Sequence, residues 1–538
     1  MEEKKMQSAP GAAPGMNTQQ APTGGAPGIG AYAYVPPAPE PKPVFSGKEQ
    51  GFAVLCLVLG FFLIDTLLFS ASMGLALSLY ALCFLLACGL FLRIEGISQT
   101  RSTLPALLMC TASALFFFLS SNDLLKLLNI PFFIVLSVYW LLTCGGLRLT
   151  GGFSCYTPSE LANAGLRTAF SNFSLLPHAV KQLFTRSGKG KTLLLCLLGL
   201  LIAVPVTALA VSLLMSADAA FEAVWRSLTG GFAQTLPSRI GECVLAIPVA
   251  LYLFGLIYGC AKKHHTQALT KESAAHTRRA CRIAPTPLLA AALTPLLVVY
   301  ALYFISQAAY FSNAFQRIFP EGFTYASFAR RGFFELCLIA TLNLGVLFLS
   351  WLLEKGAHPA LRIMSALLSV FTLLFIAIDA AKMALYIHYY GLTPLRVYTS
   401  WFMALLFLIF AILLLARVRR SVNTGRALCI CSLAMVFLLL FSNTDRLIVG
   451  YNVSRYLDGT LPGVDFSVFY ESGDAALDLI EPLTRASDPV VAADAEAYLR
   501  DQAQEAQRRG AVLSEPNADY RSLTLPRLLS QGILKRYH

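Results

Sequence analysis

Residues 51–69 read GFAVLCLVLGFFLIDTLLF, an apolar run whose only charged residue is Asp65. About 20 such residues in a helix cross the roughly 30 Å hydrocarbon core of a bilayer. Ten further runs of this kind follow along the chain, at 73–92, 104–120, 127–144, 192–215, 240–260, 286–306, 334–353, 363–387, 398–416 and 427–442. The sequence therefore predicts an all-α, polytopic transmembrane helix bundle of about 11 helices.

The composition supports this class of protein. Of the 538 residues, 56% are hydrophobic and 13% are charged, whereas soluble proteins carry about 25% charged residues. The net charge of +12 resides in loops between apolar runs, which is typical of membrane topology rather than of nucleic-acid binding. We therefore expect the lipid bilayer as a partner and no nucleic acid.

The bundle is predicted to carry a different kind of segment at each end. Residues 1–47 are rich in Pro, Gly and Ala, and such a segment cannot bury enough apolar surface to fold, so a disordered tail is expected. Residues 48–442 form the bundle. Residues 443–538 hold 10 Lys and Arg against 14 Asp and Glu and are predicted to be a small helical C-terminal tail, with helices near 474–484 and 489–509.

The distribution of basic residues predicts the orientation of the chain. With the N-terminus taken as cytoplasmic, inward loops hold 20 Lys and Arg and outward loops hold 7. Cytoplasmic loops are enriched in these residues, so the N-terminus is predicted to be cytoplasmic and the tail extracytoplasmic. Within the inward loop 145–191, PSELANAGLRTAFSNFSLLPHAVKQLF (158–184) mixes apolar and basic residues at helical spacing. It is expected to lie along the inner membrane surface.

Motifs of soluble enzymes and of metal sites are not recognisable. SGKGKT at 187–192 lacks the glycine that a phosphate-binding loop needs five positions before its Gly-Lys-Thr triplet. His264, His265 and His276 lack paired metal-ligand spacing, and most cysteines lie in or beside apolar runs. No cofactor and no metal are expected. Gly255 and Gly259 form a small-xxx-small pair suited to close helix contact.

Charged residues inside membrane spans are costly and are therefore candidates for function. The apolar runs contain Asp65, Glu335, Asp379 and Lys382. Asp379 and Lys382 are three residues apart on one helix face, where opposite charges are able to pair. The sequence is compatible with two roles for this pair: a self-neutralising contact, or part of a functional site.

Several longer motifs carry a resemblance to a known family. They are LLMSADAAFE (213–222), YASFARRGFFEL (325–336), YIHYYGLTPLRVY (386–398), NTDRLIVGYNVSRYL (443–457) and DYRSLTL (519–525). In this order, over roughly residues 190–525, the chain resembles the bacterial multi-pass membrane protein family called domain of unknown function 4173. The resemblance implies a bacterial cytoplasmic (inner) membrane and brings no reaction with it.

On the predicted topology, the first four of these motifs fall on the outward face. Arginines are unusual there and need anionic partners. These are either carboxylates within the protein or the phosphate or carboxylate group of a ligand. The candidate polar cluster, functional or structural, consists of Asp65, Asp218, Arg330, Arg331, Glu335, Asp379, Lys382, Arg396, Asn443, Asp445, Asn452 and Arg455.

Three functions are compatible with this arrangement. The first is a non-enzymatic cell-envelope scaffold, sensor or assembly component, in which the arginines clamp the tail onto the helix ends. The second is a transporter of a small or anionic solute, with Asp65, Asp379 and Lys382 lining a cavity, although few charges lie near the midplane where transporter sites occur. The third is an outer-leaflet enzyme acting on a lipid-linked envelope substrate, with Glu335, Asp445 or Asp218 in acid–base roles.

We rank these functions in that order, so an enzyme is the least favoured of the three. Envelope proteins and anionic lipids are further candidate partners. The sequence leaves the substrate and the oligomeric state open.

Overall fold

A computed structural model of the protein describes residues 43–69, 73–185, 232–264, 269–315, 333–356, 358–419, 421–508 and 520–537, together with parts of 203–225. The predicted disordered tail, residues 1–47, lies largely outside the described residues, and all that follows concerns Phe45–His538. Within the described ranges the chain is all-α and contains no strand.

The helices are numbered in chain order. Those in the first half of the chain are α1 (Gly47–Phe69), α2 (Leu75–Ile94), α3 (Leu104–Leu119), α4 (Asp123–Cys144), α5 (Thr157–Ala162), α6 (Ala169–Ser171), α7 (Leu175–Thr185), α8 (Phe232–Lys262) and α9 (Lys271–Cys281). The second half contains α10 (Thr286–Phe315), α11 (Phe333–Leu353), α12 (Pro359–Tyr390), α13 (Pro394–Val418), α14 (Thr424–Phe441), α15 (Thr444–Leu457), α16 (Phe466–Ser472), α17 (Leu477–Ile480), α18 (Pro489–Arg508), α19 (Leu525–Leu529) and α20 (Gln531–Arg536).

Eight helices within the described ranges are long and apolar enough to cross a membrane. They lie in α1, α2, α4, α8, α10, α12, α13 and α14, and two shorter apolar helices lie in α3 and α11. The predicted run at 192–215 falls largely outside the described residues. The prediction of an all-α multi-pass membrane protein is confirmed, because the remaining predicted runs each correspond to an apolar helix.

Ion pairs at the two ends of α1 show which helix ends lie together. Near the start of α1, Glu49 pairs with Lys262 Nζ at 3.1 Å, and the same ammonium bonds Glu95 beyond the end of α2. Towards the other end, Asp65 pairs with Arg239, which precedes the apolar part of α8. We call the side on which α1 begins the first side of the bundle, and the side on which Asp65 lies the second side.

Two large apolar cores lie among the spanning helices. One is formed by α1–α4, α8 and the segment 157–185, and the other by α10–α13. Gly60 on α1 brings α8 very close, because a Cβ at this position would lie 2.6 Å from the carbonyl oxygen of Ala246. Such small residues allow helix association in a bilayer, where apolar burial alone favours it little.

The inward-loop segment 157–185 packs into the first core, where Ala169 is fully buried. That it lies along the inner membrane surface stays a prediction. Gly255 and Gly259 of α8 make this packing possible, since a Cβ at Gly255 would lie 2.4 Å from the carbonyl oxygen of Ala169. Asn172 Nδ2 donates to the Gly255 oxygen at 3.4 Å. The small-residue pair therefore accommodates this segment, whose buried small side chains allow such an approach.

The residues after α14 contain a small helical core of their own, formed by α15–α18 and α20. The predicted helix at 489–509 is confirmed as α18, and Asp488 Oδ1 accepts from the Val490 amide at 2.9 Å at its start. The predicted helix at 474–484 is instead a succession of short helical turns. Pro482 lacks an amide donor, so a regular helix does not continue through this position.

Candidate functional site

The third and fourth sequence motifs interlock on the second side of the bundle. The Leu392 amide donates to Asn452 Oδ1 at 2.7 Å, and Asn452 Nδ2 donates to the Leu392 carbonyl oxygen at 2.8 Å. Gly391 has a φ of 74°, and a Cβ there would lie 2.4 Å from Asn452 Oδ1. Only glycine adopts this conformation readily and leaves room for the amide. The loop after α12 is thereby fixed to α15.

Two arginines of the predicted cluster hold the end of α12. Arg396 Nη1 donates to the carbonyl oxygens of Tyr390 and Gly391 at 2.8 and 2.5 Å. Arg455 Nη1 donates to the carbonyl oxygen of His388 at 2.6 Å. The last carbonyls of a helix have no intrahelical donor, and cations are favourable at this negative end of the helix dipole. Both arginines therefore have partners within the protein.

Asp445 begins the motif helix α15 and is buried against the start of α4. Asn122 Nδ2 donates to Asp445 Oδ1 at 2.7 Å and to the Tyr398 hydroxyl at 2.9 Å. Burial raises the pKa of Asp445 to about 6, whereas the Asn122 hydrogen bond and the charge of Lys126 act in the opposite direction. These side chains join α4, α13 and α15.

The junction between α14 and α15 depends on Asn443. This residue has a φ of 48°, in the left-handed region that Asn adopts more readily than most residues. Its side chain makes no capping hydrogen bond, so its contribution is the change of chain direction. Further along α15, Arg446 forms a two-pronged ion pair with Asp478 at 2.8 and 2.7 Å, which ties α15 to α17 within the tail.

The last sequence motif returns to the first helices of the bundle. Arg521 Nη1 pairs with Asp65 Oδ2 at 3.0 Å, and the Leu75 amide donates to the Leu523 carbonyl oxygen at 2.8 Å. Asp65 also accepts from Arg239. One carboxylate at the end of α1 therefore contacts both α8 and the tail.

These contacts share one location and one character: polar groups at the second-side helix ends bond to the tail or to each other. We call this set the second-side clamp, and it consists of Asp65, Asn122, Leu392, Arg396, Asp445, Asn452, Arg455 and Arg521.

Asp379 lies apart from the clamp, within the second core. It is only 2% exposed, and its Oδ1 accepts no hydrogen bond from any residue that the structure describes. Lys382 and Glu335 are close enough to act on it through their charges. The pairing of Asp379 with Lys382 stays a prediction, and one carboxylate oxygen of Asp379 has no donor among the described residues.

The remaining predicted residues do not converge on one place. Asp218 is exposed, and its Oδ1 accepts from the Ala220 amide at 2.8 Å. Glu335 is exposed in the first turn of α11. Arg330 and Arg331 lie outside the described residues. The candidate cluster thus separates into the clamp, the buried Asp379 and dispersed positions.

Reasoning from charge alone missed the uncharged members of these networks. Asn122 is one, and a second network lies between α10, α11 and α12. There the Tyr300 hydroxyl donates to Asn343 Oδ1 at 2.8 Å, and Asn343 Nδ2 donates to Thr372 Oγ1 at 2.9 Å. An asparagine within an apolar run was the available signal, because buried amides in a bilayer seek partners on neighbouring helices.

The chemistry of the clamp is that of structural contacts. Its amide, guanidinium and carboxylate groups bond to one another and to backbone carbonyls, as described above. Among the residues for which coordinates are described, no group of three His, Cys, Asp or Glu side chains could hold a metal ion. The arrangement is suited to fixing helix ends and a tail.

Comparison with known proteins adds a family. A model described as Domain of unknown function (DUF4153) matches residues 51–483. No curated protein and no solved structure matches the chain. The resemblance to domain of unknown function 4173 is corrected to this family, and the match begins at the first span rather than near residue 190. Short motifs beside apolar helices distinguish poorly between membrane-protein families, because spanning segments have a similar composition in unrelated membrane proteins.

Proposed function

The chain belongs to the family described as Domain of unknown function (DUF4153), and on that premise we propose that it is a non-enzymatic scaffold, sensor or assembly component of the cell envelope. In this proposal the bundle, residues 48–442, crosses the bacterial cytoplasmic membrane. The first side is cytoplasmic, and the tail, residues 443–538, is extracytoplasmic. The excess of 20 inward over 7 outward basic residues supports this orientation.

One observation carries the proposal: the arginines and carboxylates of the second-side clamp bond to other groups of the same protein. Arg396 and Arg455 donate to carbonyl oxygens at the end of α12, and Arg521 pairs with Asp65. Charged groups that bond within the protein are occupied by holding its parts together. This use of the motifs favours a fixed platform for the tail over a ligand site on the same face.

The tail also offers a surface for a partner. Its own core is internal to α15–α18 and α20, while Tyr470 and Val490 are exposed on it. Exposed aromatic side chains are favourable contact residues in protein interfaces. We propose envelope proteins as the partners of this surface.

The test is complementation of a strain that lacks the protein, with envelope integrity as the readout. Asn452→Ala and a deletion of 458–538 should both fail to complement, and both should lower the Tm of the purified protein. Arg500→Ala breaks an exposed Arg500–Glu496 pair within α18 and should complement as the wild type does. A deletion variant as stable and as active as the wild type would sink the proposal.

A second candidate function, transport of a small or anionic solute, is favoured by Asp379 alone. A buried carboxylate in a spanning helix is costly, and such residues commonly mark ion or proton pathways. Asp379→Asn would then abolish flux in proteoliposomes and complementation, while Asn452→Ala would retain some of both. Glu335→Gln, at an exposed position near the same core, is the control. Wild-type behaviour of Asp379→Asn would remove transport from consideration.

A further inference from the structure

An apolar cavity of about 490 Å³ lies among the helices of the first core. Its walls come from α1–α4 and α8, and Phe170 and Phe173 of the segment 157–185 line one end. Leu67 and Leu77 mark its opposite end, towards the second side. The cavity thus extends along the spanning helices rather than across a loop surface.

The cavity has a buried wall and an exposed rim. Phe84 and Leu256 in the wall are almost fully buried, whereas Ile134 and Phe170 at the rim are 47% and 55% exposed. In a multi-pass membrane protein, a rim at this depth is surrounded by hydrocarbon chains and not by water. The cavity therefore opens sideways, between helices, to the interior of the bilayer.

Water is a poor occupant of this space. Among the lining side chains, only Tyr80, Ser137 and Tyr252 carry a polar atom. A buried water requires about 2–4 polar partners, and a single water occupies about 30 Å³ of liquid. The three polar side chains in the lining cannot supply partners for all the waters that would fill a cavity of this size. Close packing disfavours leaving it empty, so a flexible hydrocarbon chain is the occupant with suitable chemistry.

A cation lies close in sequence to the cavity wall. Arg167, near the lining residue Phe170, is exposed and has no hydrogen-bond or ion-pair partner among the residues that the structure describes. It precedes Phe170 by three residues, and both side chains lie on the exposed side of this segment, whereas Ala164, Thr168 and Ala169 are buried. A guanidinium there suits the phosphate of a lipid headgroup.

We propose that this cavity binds one acyl chain of an anionic phospholipid, with the headgroup at Arg167 and the chain directed past Phe170 towards Leu77. The site is independent of the scaffold proposal, because none of its residues belongs to the second-side clamp. It assigns a role to the segment 157–185, which lines one end of the cavity and presents the cation.

Photo-crosslinking of the full-length protein in nanodiscs tests this site. The probes are phosphatidylglycerol, phosphatidylcholine and a free fatty acid, each with a diazirine on the acyl chain. Phosphatidylglycerol should label peptides that contain Ile134 and Leu253 several-fold more than the peptide around the lipid-facing Leu90. Unlabelled phosphatidylglycerol should compete at the cavity and not at Leu90.

Variants separate the chain site from the headgroup site. Val249→Phe fills the cavity and should reduce cavity labelling about fivefold or more, a change of about 1 kcal/mol in binding. Val244→Phe, on the exposed face of the same helix, is the matched control and should label normally. Arg167→Gln should remove the preference for phosphatidylglycerol over phosphatidylcholine and preserve labelling of the wall.

Three outcomes would overturn the proposal. Equal labelling of the cavity and of Leu90, without competition, would mean ordinary solvation by bulk lipid. Equal labelling by phosphatidylcholine in the wild type would exclude the headgroup role of Arg167. If the free fatty acid displaces phosphatidylglycerol at lower concentration, the occupant is a fatty acid and not a phospholipid. The competition arm needs no variant, so the test holds even if Val249→Phe fails to fold.

Discussion

Asn452 pairs with both backbone groups of Leu392, accepting from its amide at 2.7 Å and donating to its carbonyl oxygen at 2.8 Å. The two residues are 60 positions apart in the chain, and both are buried. A carboxamide carries both a donor and an acceptor. It therefore pairs with a backbone amide and carbonyl in the way that an adjacent β-strand would. This contact fixes the loop after α12 to α15, the first helix of the tail.

Replacing this amide should destabilise the protein measurably. Asn452→Ala leaves a buried amide and a buried carbonyl of Leu392 without partners, each at a cost of about 1–3 kcal/mol. We expect a lower Tm of the purified protein in detergent and faster proteolysis of the tail. Arg500→Ala, whose exposed pair is worth about 0.2–1 kcal/mol, should change either readout only slightly. Equal Tm values for the two variants would contradict this assignment.

Two glycines with positive φ permit a matched comparison. Gly391 has a φ of 74° with Asn452 Oδ1 at 2.4 Å from an added Cβ, whereas Gly459 has a φ of 69° with nothing within 4 Å. Both alanine substitutions incur backbone strain of about 1–3 kcal/mol, but only Gly391→Ala also displaces Asn452. Chemical denaturation should show the larger loss for Gly391→Ala. A larger loss for Gly459→Ala would be inconsistent with the close approach.

The clamp should respond to pH through Asp445. Burial raises its pKa from 3.8 to about 6, so the folded state binds the proton more tightly than the unfolded state. The stabilising contribution is therefore full below about pH 4 and is lost as pH rises through 6, a change of about 3 kcal/mol. Asp445→Asn keeps an acceptor for Asn122 and does not titrate.

The measurement is the Tm of wild type and Asp445→Asn at pH 4 and pH 7. The Tm of the variant minus the Tm of the wild type should be larger at pH 7 than at pH 4, because only the wild type must bury a charge at pH 7. Asp478→Asn, at an exposed partner of Arg446, is a control for general effects of removing a carboxylate. A constant difference between wild type and Asp445→Asn would show that Asp445 titrates normally.

Loss of the contact between the tail and the first helices should change local hydrogen exchange rather than the stability of the whole protein. Arg521 and its partner Asp65 form a partly exposed pair, and exposed pairs contribute about 0.2–1 kcal/mol. Arg521→Gln should speed hydrogen exchange at the Leu75 amide, which donates to the tail at Leu523. Arg508→Gln breaks a pair with Glu505 within α18 and should leave that amide protected. Unchanged exchange in Arg521→Gln would argue against docking through this pair.

The packing of the segment 157–185 against α8 should tolerate no side chain at Gly255. A Cβ there would lie 2.4 Å from the Ala169 carbonyl oxygen, while Gly89 on α2 has nothing within 4 Å. Overpacking of this kind costs about 1–3 kcal/mol. Gly89→Ala should be neutral or stabilising by up to about 1 kcal/mol through helix propensity. Thermal unfolding of both variants checks the contrast, and a stable Gly255→Ala protein would oppose it.

Much of the fold could be predicted from composition, whereas the candidate site could be predicted only in part. Motif residues such as Asn452 and Arg455 were identified from the sequence, but their partners were not. Asn122 was missed because an uncharged amide gives no signal in a count of charges. The amphipathic pattern of the segment 157–185 did not reveal that it packs against α8, since such a pattern does not distinguish a lipid surface from the face of a neighbouring helix.

By itself, the sequence determined that this is an all-α protein with many membrane spans, because the transfer of a helix into hydrocarbon depends on its own length and composition. It also determined the start of α18, which depends on the adjacent Asp488. Only the tertiary structure decided that Asp65 contacts Arg521 and that Asn452 contacts Leu392. Such contacts depend on how helices pack and on which backbone groups remain without donors, and no local pattern encodes either.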